Sequence, residues 1–275
     1  MHKKFLVTGA TGFIGQHLLH ALLPYGQVIV ICRDKKNIQS LYPKIEVLEQ
    51  SLTTPIPKKY LGPDTSLVHL AWPNLPNYTQ LFHFEDTLMA QYQFIKQSVL
   101  QGITHVMITG TCFEYGLQEG GLSAKTLPQP VTAYGLAKHC LHEFLRTLQK
   151  THSFILQWAR LFYVYGEGQN PKALLPSLQA AIDNQEKKFC LSLGEQLRDF
   201  IDVKDVVSQL MEHLMSAKNI TFNVCTEKPI SVRRFVENYI KTQNATIELK
   251  FGHYPYLPYE PLAFWGIKDT VLYPN

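Results

Sequence analysis

The fold is decided by residues 7–15, Val7-Thr8-Gly9-Ala10-Thr11-Gly12-Phe13-Ile14-Gly15. They follow the apolar run Phe5-Leu6-Val7 and precede a helical stretch that begins at Gln16. Glycines three residues apart let the backbone turn tightly, and the free N–H groups at a helix N-terminus attract phosphate. This stretch therefore predicts a strand, a turn and a helix that bind the diphosphate of a dinucleotide. The alternative is a glycine-rich turn with a purely structural role.

The size and composition of the chain suit one large α/β domain, alone or with a smaller partner domain. It has 275 residues, 45% of them hydrophobic, and a net charge of +4 from scattered Lys and Arg. No basic run indicates a nucleic-acid arm, and no apolar run approaches the roughly 20 residues of a membrane span. The five cysteines are far apart, which predicts neither disulfides nor a metal site. Without an export signal, we expect a cytoplasmic protein.

Apolar runs alternate with helical periodicities along the chain. Strands are predicted near 5–7, 28–31, 45–48, 67–70, 105–108, 189–193 and 222–224, and helices near 12–23, 86–101, 134–150, 173–184, 203–216 and 231–241. Continuous apolar strands are typical of a parallel sheet covered by helices on both faces. Residues 1–160 are therefore predicted to form a doubly wound, dinucleotide-binding α/β domain. Residues 161–275 are predicted to form mainly a smaller substrate-binding lobe, with some segments returning to the sheet.

The second predicted strand ends at Cys32-Arg33-Asp34. An acid at this place usually binds the adenosine ribose of NAD, whereas a cation suits the 2′-phosphate of NADP. Arg33 therefore favours NADP as the cofactor. NAD stays open, because Arg33 could be a surface arginine and Asp34 could take the acidic role.

Three side chains are candidates for catalysis. Tyr134 and Lys138 are four residues apart, on one face at the start of a predicted helix. An ammonium group stabilises a phenolate, so this pair can exchange a proton with a carbinol oxygen. Thr111 follows the fifth strand and brings a hydroxyl to the same edge of the sheet. A Tyr and a Lys at this spacing also occur at ordinary exposed helix starts.

Together these motifs resemble the extended short-chain dehydrogenases/reductases of the nucleotide-sugar epimerase/dehydratase/reductase family. The resemblance covers nearly the whole chain. It includes the segments His69-Leu70-Ala71-Trp72, Arg160-Leu161-Phe162-Tyr163-Val164-Tyr165-Gly166 and Arg198-Asp199-Phe200-Ile201-Asp202. It implies a Rossmann fold with a C-terminal substrate lobe. It also implies that Tyr134 is the acid/base at the sugar C4 oxygen, that Thr111 hydrogen-bonds this oxygen, and that Lys138 binds the nicotinamide ribose.

The resemblance further implies two sets of binding residues and a homodimer. The cofactor set comprises Gly9, Thr11, Gly12, Phe13, Ile14, Gly15, Arg33, Ser51, Leu52, Leu70, Ala71, Trp72, Tyr134 and Lys138. The substrate set comprises Trp72, Thr111, Phe113, Tyr134, Tyr163 and Arg198. Arg198 would bind the diphosphate of a nucleoside-diphosphate sugar, and its alternative is a surface salt bridge to Asp199 or Asp202. Family members commonly dimerise through the helices near 86–101 and 134–150.

The residues after Thr111 distinguish the reactions of this family. The 4,6-dehydratases have Asp-Glu there, whereas this chain has Cys112-Phe113, and Phe113 stands where epimerising reductases have Cys. The pattern favours hydride transfer from NADPH to the C4 ketone of a nucleoside-diphosphate 4-keto-6-deoxysugar, in deoxysugar and surface polysaccharide biosynthesis. One alternative is an NAD-dependent C4 epimerase. The other is a non-catalytic NADP-binding regulator, which the presence of Tyr134 and Lys138 disfavours.

Overall fold

The computed structural model describes residues 3–43 and 45–274. The strands, in chain order, are β1 (Lys3–Thr8), β2 (Gly26–Cys32), β3 (Glu46–Glu49), β4 (Thr65–His69), β5 (His105–Thr111), β6 (Gly120–Leu122), β7 (Ile155–Leu161), β8 (Tyr163–Tyr165), β9 (Lys188–Cys190), β10 (Leu197–Arg198), β11 (Phe200–Asp202), β12 (Ile220–Val224), β13 (Ile230–Ser231), β14 (Glu248–Lys250), β15 (Phe264–Gly266) and β16 (Thr270–Leu272). The helices are α1 (Phe13–Leu22), α2 (Lys36–Leu41), α3 (Leu88–Leu100), α4 (Ala133–Leu148), α5 (Leu174–Asp183), α6 (Val203–Ser216) and α7 (Val232–Thr242). A π-helix, His83–Thr87, leads directly into α3.

The centre of the fold is an eight-stranded sheet in the order β16-β12-β7-β5-β4-β1-β2-β3. All neighbouring strands in it are parallel except β12 and β16. The chain moves outward from β1 to β3, returns to β4 and then moves outward in the other direction. This confirms the predicted doubly wound sheet. The carboxyl ends of β1 and β4 are neighbours at the reversal, where such folds bind ligands.

Each face of the sheet is covered by helices. In β1, Phe5 and Val7 pack on the face that contacts α1 and α6, whereas Leu6 packs on the face that contacts α3 and α4. All three side chains are fully buried. Alternate strand residues thus enter two separate cores, which explains why the apolar runs are continuous.

The second half of the chain contributes to the sheet and also builds a smaller cluster above it. β12, β16 and α6 belong to the sheet and its cover. A separate cluster joins α5, α7, β9 and β14 around Leu178 and Val236. The domain boundary at residue 160 stays a prediction. Within the described part of the chain, no helix is both long and apolar enough to cross a membrane.

Candidate active site

In the glycine turn at residues 9–15, backbone atoms approach Gly9 and Gly15 so closely that a side chain would not fit there. Gly9 has φ 73°, and a Cβ there would lie 2.7 Å from the amide nitrogen of Ala71. A Cβ on Gly15 would lie 2.2 Å from the carbonyl oxygen of Gly9. Gly12 is the N-cap of α1 and supplies no side-chain cap, so the first amide groups of the helix are left for an external anion. A dinucleotide diphosphate fits this arrangement.

A cleft of about 380 Å³ opens beside this turn, between the carboxyl ends of β1, β2 and β4. Of the predicted cofactor residues, those that line the cleft are Gly9, Thr11, Gly12, Arg33, Ser51, Leu52, Leu70, Ala71 and Trp72. Phe13, Ile14 and Gly15 form the first turn of α1 just outside it. A larger groove of about 520 Å³ between residues 52–56 and α3 contains none of the predicted catalytic residues.

The two charged residues after β2 have different positions. Arg33 is exposed and lines the cleft. The carboxylate of Asp34 instead accepts a hydrogen bond of 2.9 Å from the backbone N–H of Lys36, at the start of α2. The structure therefore brings a cation, and not the neighbouring acid, to the wall of the cleft.

The first two turns of α4 hold Tyr134 and Lys138 close to the end of β5. Thr132 caps this helix by accepting a hydrogen bond of 3.0 Å from the N–H of Gly135. A Cβ on Gly135 would lie 2.5 Å from the carbonyl oxygen of Phe113, so glycine lets α4 pack against the turn that follows Thr111. Tyr134 and Lys138 are 7% and 1% exposed.

Burial changes the proton affinity of both groups. It raises the pKa of Tyr134, and the nearby Thr111 hydroxyl opposes this effect only in part. It lowers the pKa of Lys138 to about 7. The Lys138 ammonium donates a hydrogen bond of 2.7 Å to the carbonyl oxygen of Thr109 and lies 4.1 Å from the centre of the Trp72 ring. Tyr134 is therefore protonated at neutral pH, and Lys138 loses its charge as the pH rises through about 7.

The sequence analysis missed Glu114, which fixes the position of Thr111. Its Oε1 accepts a hydrogen bond of 2.9 Å from the N–H of Thr111, and its Oε2 accepts one of 2.8 Å from Nε of Arg160. Nε1 of Trp158 donates to the same carboxylate at 3.0 Å. Thr111 and Glu114 form a capping box, whose Thr-x-x-Glu spacing was a readable signal. The Thr111 Oγ1 accepts from Phe113 N–H at 3.2 Å, which leaves its hydroxyl hydrogen free to donate.

Aromatic rings cluster beside Tyr134. Tyr78 lies 4.7 Å from Phe113 and 5.5 Å from Tyr134, measured between ring centres. Tyr259 lies 6.2 Å from Phe113. Burial raises the pKa of Tyr78 to about 12. Sequence analysis missed Tyr78 and Tyr259 because they come from loops that no motif marks.

Arg198 is buried, being 2% exposed, and is already paired. Its guanidinium donates to Glu260 at 2.8 Å and to the carbonyl oxygens of Leu197 and Leu262 at 2.9 and 3.1 Å. Its centre lies 5.4 Å from the Tyr163 ring.

The expected alternative for Arg198, a surface salt bridge to Asp199 or Asp202, is wrong. The Asp199 carboxylate accepts from the backbone N–H of Thr226 at 2.8 Å, and Asp202 caps α6 through the N–H of Lys204 at 2.8 Å. Contact of Arg198 with a diphosphate stays a prediction.

Comparison with known proteins identifies the family. The model of the NAD dependent epimerase/dehydratase family matches residues 5–225. The chain belongs to this family. The resemblance deduced from the motifs is thereby confirmed, as is the prediction of an enzyme that uses a nicotinamide cofactor and acts on nucleotide sugars, whereas the preference for NADP stays a prediction.

Several members of this family are similar over almost their full length. The dTDP-6-deoxy-L-talose 4-dehydrogenase (NAD(+)) of Aggregatibacter actinomycetemcomitans is 31% identical over 270 residues, which cover 96% of this chain and 100% of that protein. The GDP-6-deoxy-D-talose 4-dehydrogenase of the same organism is 27% identical over 90% of this chain and 82% of its own length.

The crystal structure of the UDP-glucuronic acid 4-epimerase from Bacillus cereus, in complex with UDP-glucuronic acid and NAD, has the same fold. Its TM-score is 0.83 at 24% identity, over 96% of this chain and 90% of that one. This likeness confirms the predicted Rossmann-like sheet.

Proposed function

We propose that this member of the family reduces the C4 ketone of a nucleoside-diphosphate 4-keto-6-deoxysugar with NADPH. The proposal rests on the surroundings of Tyr134. This residue is protonated and buried beside Lys138. It faces the turn that follows Thr111, in which the carboxylate of Glu114 is already hydrogen-bonded. Glu114 is fully buried against Arg160 and Trp158, so it is not a base for protons at neighbouring sugar carbons. The names of both Aggregatibacter relatives specify 4-dehydrogenation of a 6-deoxytalose nucleotide, which is the reverse of such a reduction.

The residues of this chain divide the reaction as follows. The glycine turn at residues 9–15 and the cleft beside it would hold the nicotinamide cofactor, which would supply the hydride for C4. Thr111 donates a hydrogen bond to the C4 oxygen, and Tyr134 transfers its proton to this oxygen as the C–H bond forms. Lys138, while charged, stabilises the phenolate that remains. Burial keeps Tyr134 protonated, which is the state from which it can donate a proton to the C4 oxygen.

The preference for NADPH is supported by Arg33. This residue lines the cleft at the end of β2, whereas Asp34 is engaged at the start of α2. A guanidinium suits a phosphate on the adenosine ribose. Because the name of one relative specifies NAD(+), both cofactors belong in the assay. A substitution Arg33→Ala is expected to weaken the use of NADPH and to leave that of NADH unchanged.

We also propose that the enzyme is a homodimer in which α3 and α4 pack against their copies. Met89, Leu136 and Phe144 on these helices are 45%, 41% and 38% exposed. Exposed apolar side chains on two adjacent helices suit such a contact. Sedimentation equilibrium of the wild type and of Phe144→Glu tests it, because the charge is expected to shift a dimer to monomers.

The proposed reaction is tested by following nicotinamide absorbance with a panel of dTDP-, GDP-, CDP- and UDP-4-keto-6-deoxysugars. We expect oxidation of NADPH by at least one of them. Tyr134→Phe removes the proton donor and is expected to lower kcat by about 10²- to 10⁴-fold, whereas the control Tyr165→Phe, outside the site, retains activity. The proposal is wrong if no sugar is reduced or if Tyr134→Phe is fully active. Tightly bound NAD together with interconversion of C4 epimers would instead establish the epimerase.

A further inference from the structure

His83 lies behind the proposed catalytic pair and belongs to none of the sites described above. It is the first residue of the π-helix and is fully buried. Its ring centre lies 5.3 Å from that of Tyr134 and 6.2 Å from that of Trp72. Extra turns of this kind inside a helix often occur at functional sites.

The hydrogen bonds of His83 determine which of its nitrogens carries the proton. Nε1–H of Trp72 donates to Nδ1 of His83 at 3.0 Å. An indole nitrogen can only donate, so Nδ1 must be an acceptor. Nε2, 3.0 Å from the carbonyl oxygen of Asn77, therefore carries the hydrogen. The contact with Trp72 requires neutral His83.

Trp72 connects this histidine to the catalytic residues. One face of its ring lies 4.1 Å from the Lys138 ammonium, and its ring centre is 5.7 Å from that of Tyr134 in an edge-to-face arrangement. An aromatic face stabilises a nearby cation. This matters for Lys138, because burial disfavours its charged form.

We propose that neutral His83 is a positioning residue, which holds the indole of Trp72 against Lys138 so that the lysine stays charged beside Tyr134. The proposal rests on the proposed reductase function. Protonation of His83 would add a hydrogen to Nδ1, which would then face the indole N–H of Trp72 with no lone pair to accept it. It would also add a positive charge near Lys138. Both effects would disfavour the charged form of Lys138.

Few other titratable groups affect this contact. Tyr134 and Lys138 of α4 face His83, and burial together with Lys138 lowers the pKa of His83. Glu85 and Asp86 of the same π-helix are exposed. On β4, burial lowers the pKa of His69 to about 3, so that this residue is neutral throughout the pH range in which the enzyme is assayed.

Two substitutions separate the hydrogen bond from the titration. His83→Gln keeps an acceptor for Trp72 and a donor for Asn77 but does not titrate. His83→Phe keeps a ring and loses both bonds. The matched controls are His152→Gln and His152→Phe, since His152 follows α4 at the opposite edge of the sheet.

The first measurement needs no substrate. Of the three tryptophans, the indole N–H resonance of Trp72 is assigned by its loss in Trp72→Phe, and the ε-carbon resonance of Lys138 by its loss in Lys138→Met. We expect His83→Phe to shift the Trp72 resonance and to lower the midpoint of Lys138 titration by about half a pH unit. His83→Gln is expected to preserve both.

The second measurement is the pH dependence of sugar reduction. In the wild type, activity is expected to fall at low pH as His83 gains a proton and at high pH as Lys138 loses one. His83→Phe is expected to lower kcat by about tenfold and to move the alkaline decline to lower pH. His83→Gln is expected to keep kcat within about threefold and to lose the acid decline.

The results separate this proposal from the proposed function. If His83→Phe leaves the Trp72 resonance and the Lys138 midpoint unchanged, the positioning role is wrong, whatever the activity. If both resonances respond as expected but no sugar is reduced, the proposed function fails while the contact is supported. A loss of kcat in His83→Phe without a shift of the alkaline decline would also overturn the proposal.

Discussion

Two buried arginines, Arg160 and Arg198, have similar surroundings but differ in how completely their partners are hydrogen-bonded and buried. Each is paired with a glutamate at 2.8 Å, and each lies near a tyrosine ring. Arg160 also donates to the hydroxyl of Tyr115 at 3.2 Å, and that hydroxyl donates to Asn223 at 2.6 Å. The chain of partners around Arg160 is thus complete.

Around Arg198 the hydrogen bonds of the neighbouring side chains are incomplete. The Tyr163 hydroxyl is buried and has no hydrogen bond of normal geometry with the described residues. The side chain of Glu260 is 14% exposed, against 0% for Glu114, and lies on the irregular segment 252–263 between β14 and β15. The Arg160–Glu114 pair completes the core beneath the turn that follows Thr111. The other pairs Arg198 with a partly exposed carboxylate on a loop.

The largest expected difference between the two pairs is in stability. Glu114→Gln leaves the charge of Arg160 uncompensated in the core and is expected to lower the free energy of unfolding by about 3–5 kcal/mol. Glu260→Gln is expected to cost only about 1 kcal/mol, because Arg198 retains two carbonyl acceptors and the glutamate is partly solvated. Urea unfolding of both variants measures this, and equal losses would contradict the distinction.

The sequence predicts the strands of the sheet well where their side chains are apolar and buried on both faces. β1 and β2 contain continuous apolar runs at residues 5–7 and 28–31, and the glycine turn after β1 has a spacing that few other structures require. β7 was not predicted, because Gln157 and Arg160 interrupt its apolar pattern. These polar groups are buried only because His105 and Glu114 bind them, and such distant partners are not visible in a local pattern.

The candidate site was predictable to a similar extent. Residues that belong to motifs, such as Thr111 and Tyr134, were predicted, and the structure places them close together, while their roles stay predictions. Tyr78, His83 and Glu260 were missed because their positions depend on loops whose sequences carry no periodicity. Arg198 was found, but its buried pairing with Glu260 depends on a contact across 62 residues.

A smaller effect is expected on ligand binding. If Glu260 competes with a diphosphate for Arg198, then Glu260→Gln removes the competing charge and is expected to tighten binding of dTDP, UDP or GDP by about tenfold, or 1.4 kcal/mol. Isothermal titration calorimetry measures this at fixed ionic strength. The control Glu195→Gln removes an equal charge from an exposed residue beside the same segment, near Tyr256. Unchanged or weaker binding by Glu260→Gln would show that the pair is permanent.

The smallest expected effect comes from the two tyrosines. Tyr115→Phe removes a hydroxyl that bonds both Asn223 and Arg160, and we expect it to lower the free energy of unfolding by about 1 kcal/mol. Tyr163→Phe removes a hydroxyl that has no hydrogen bond of normal geometry among the described residues, and it is expected to leave stability unchanged or slightly raised, because an unsatisfied buried group is itself unfavourable. Affinity for the nucleoside diphosphate distinguishes the two further, since only Tyr163 lies beside Arg198. A loss of stability in Tyr163→Phe as large as that in Tyr115→Phe would mean that both clusters are equally complete, and the difference between the two arginines would then lie in Glu260 alone.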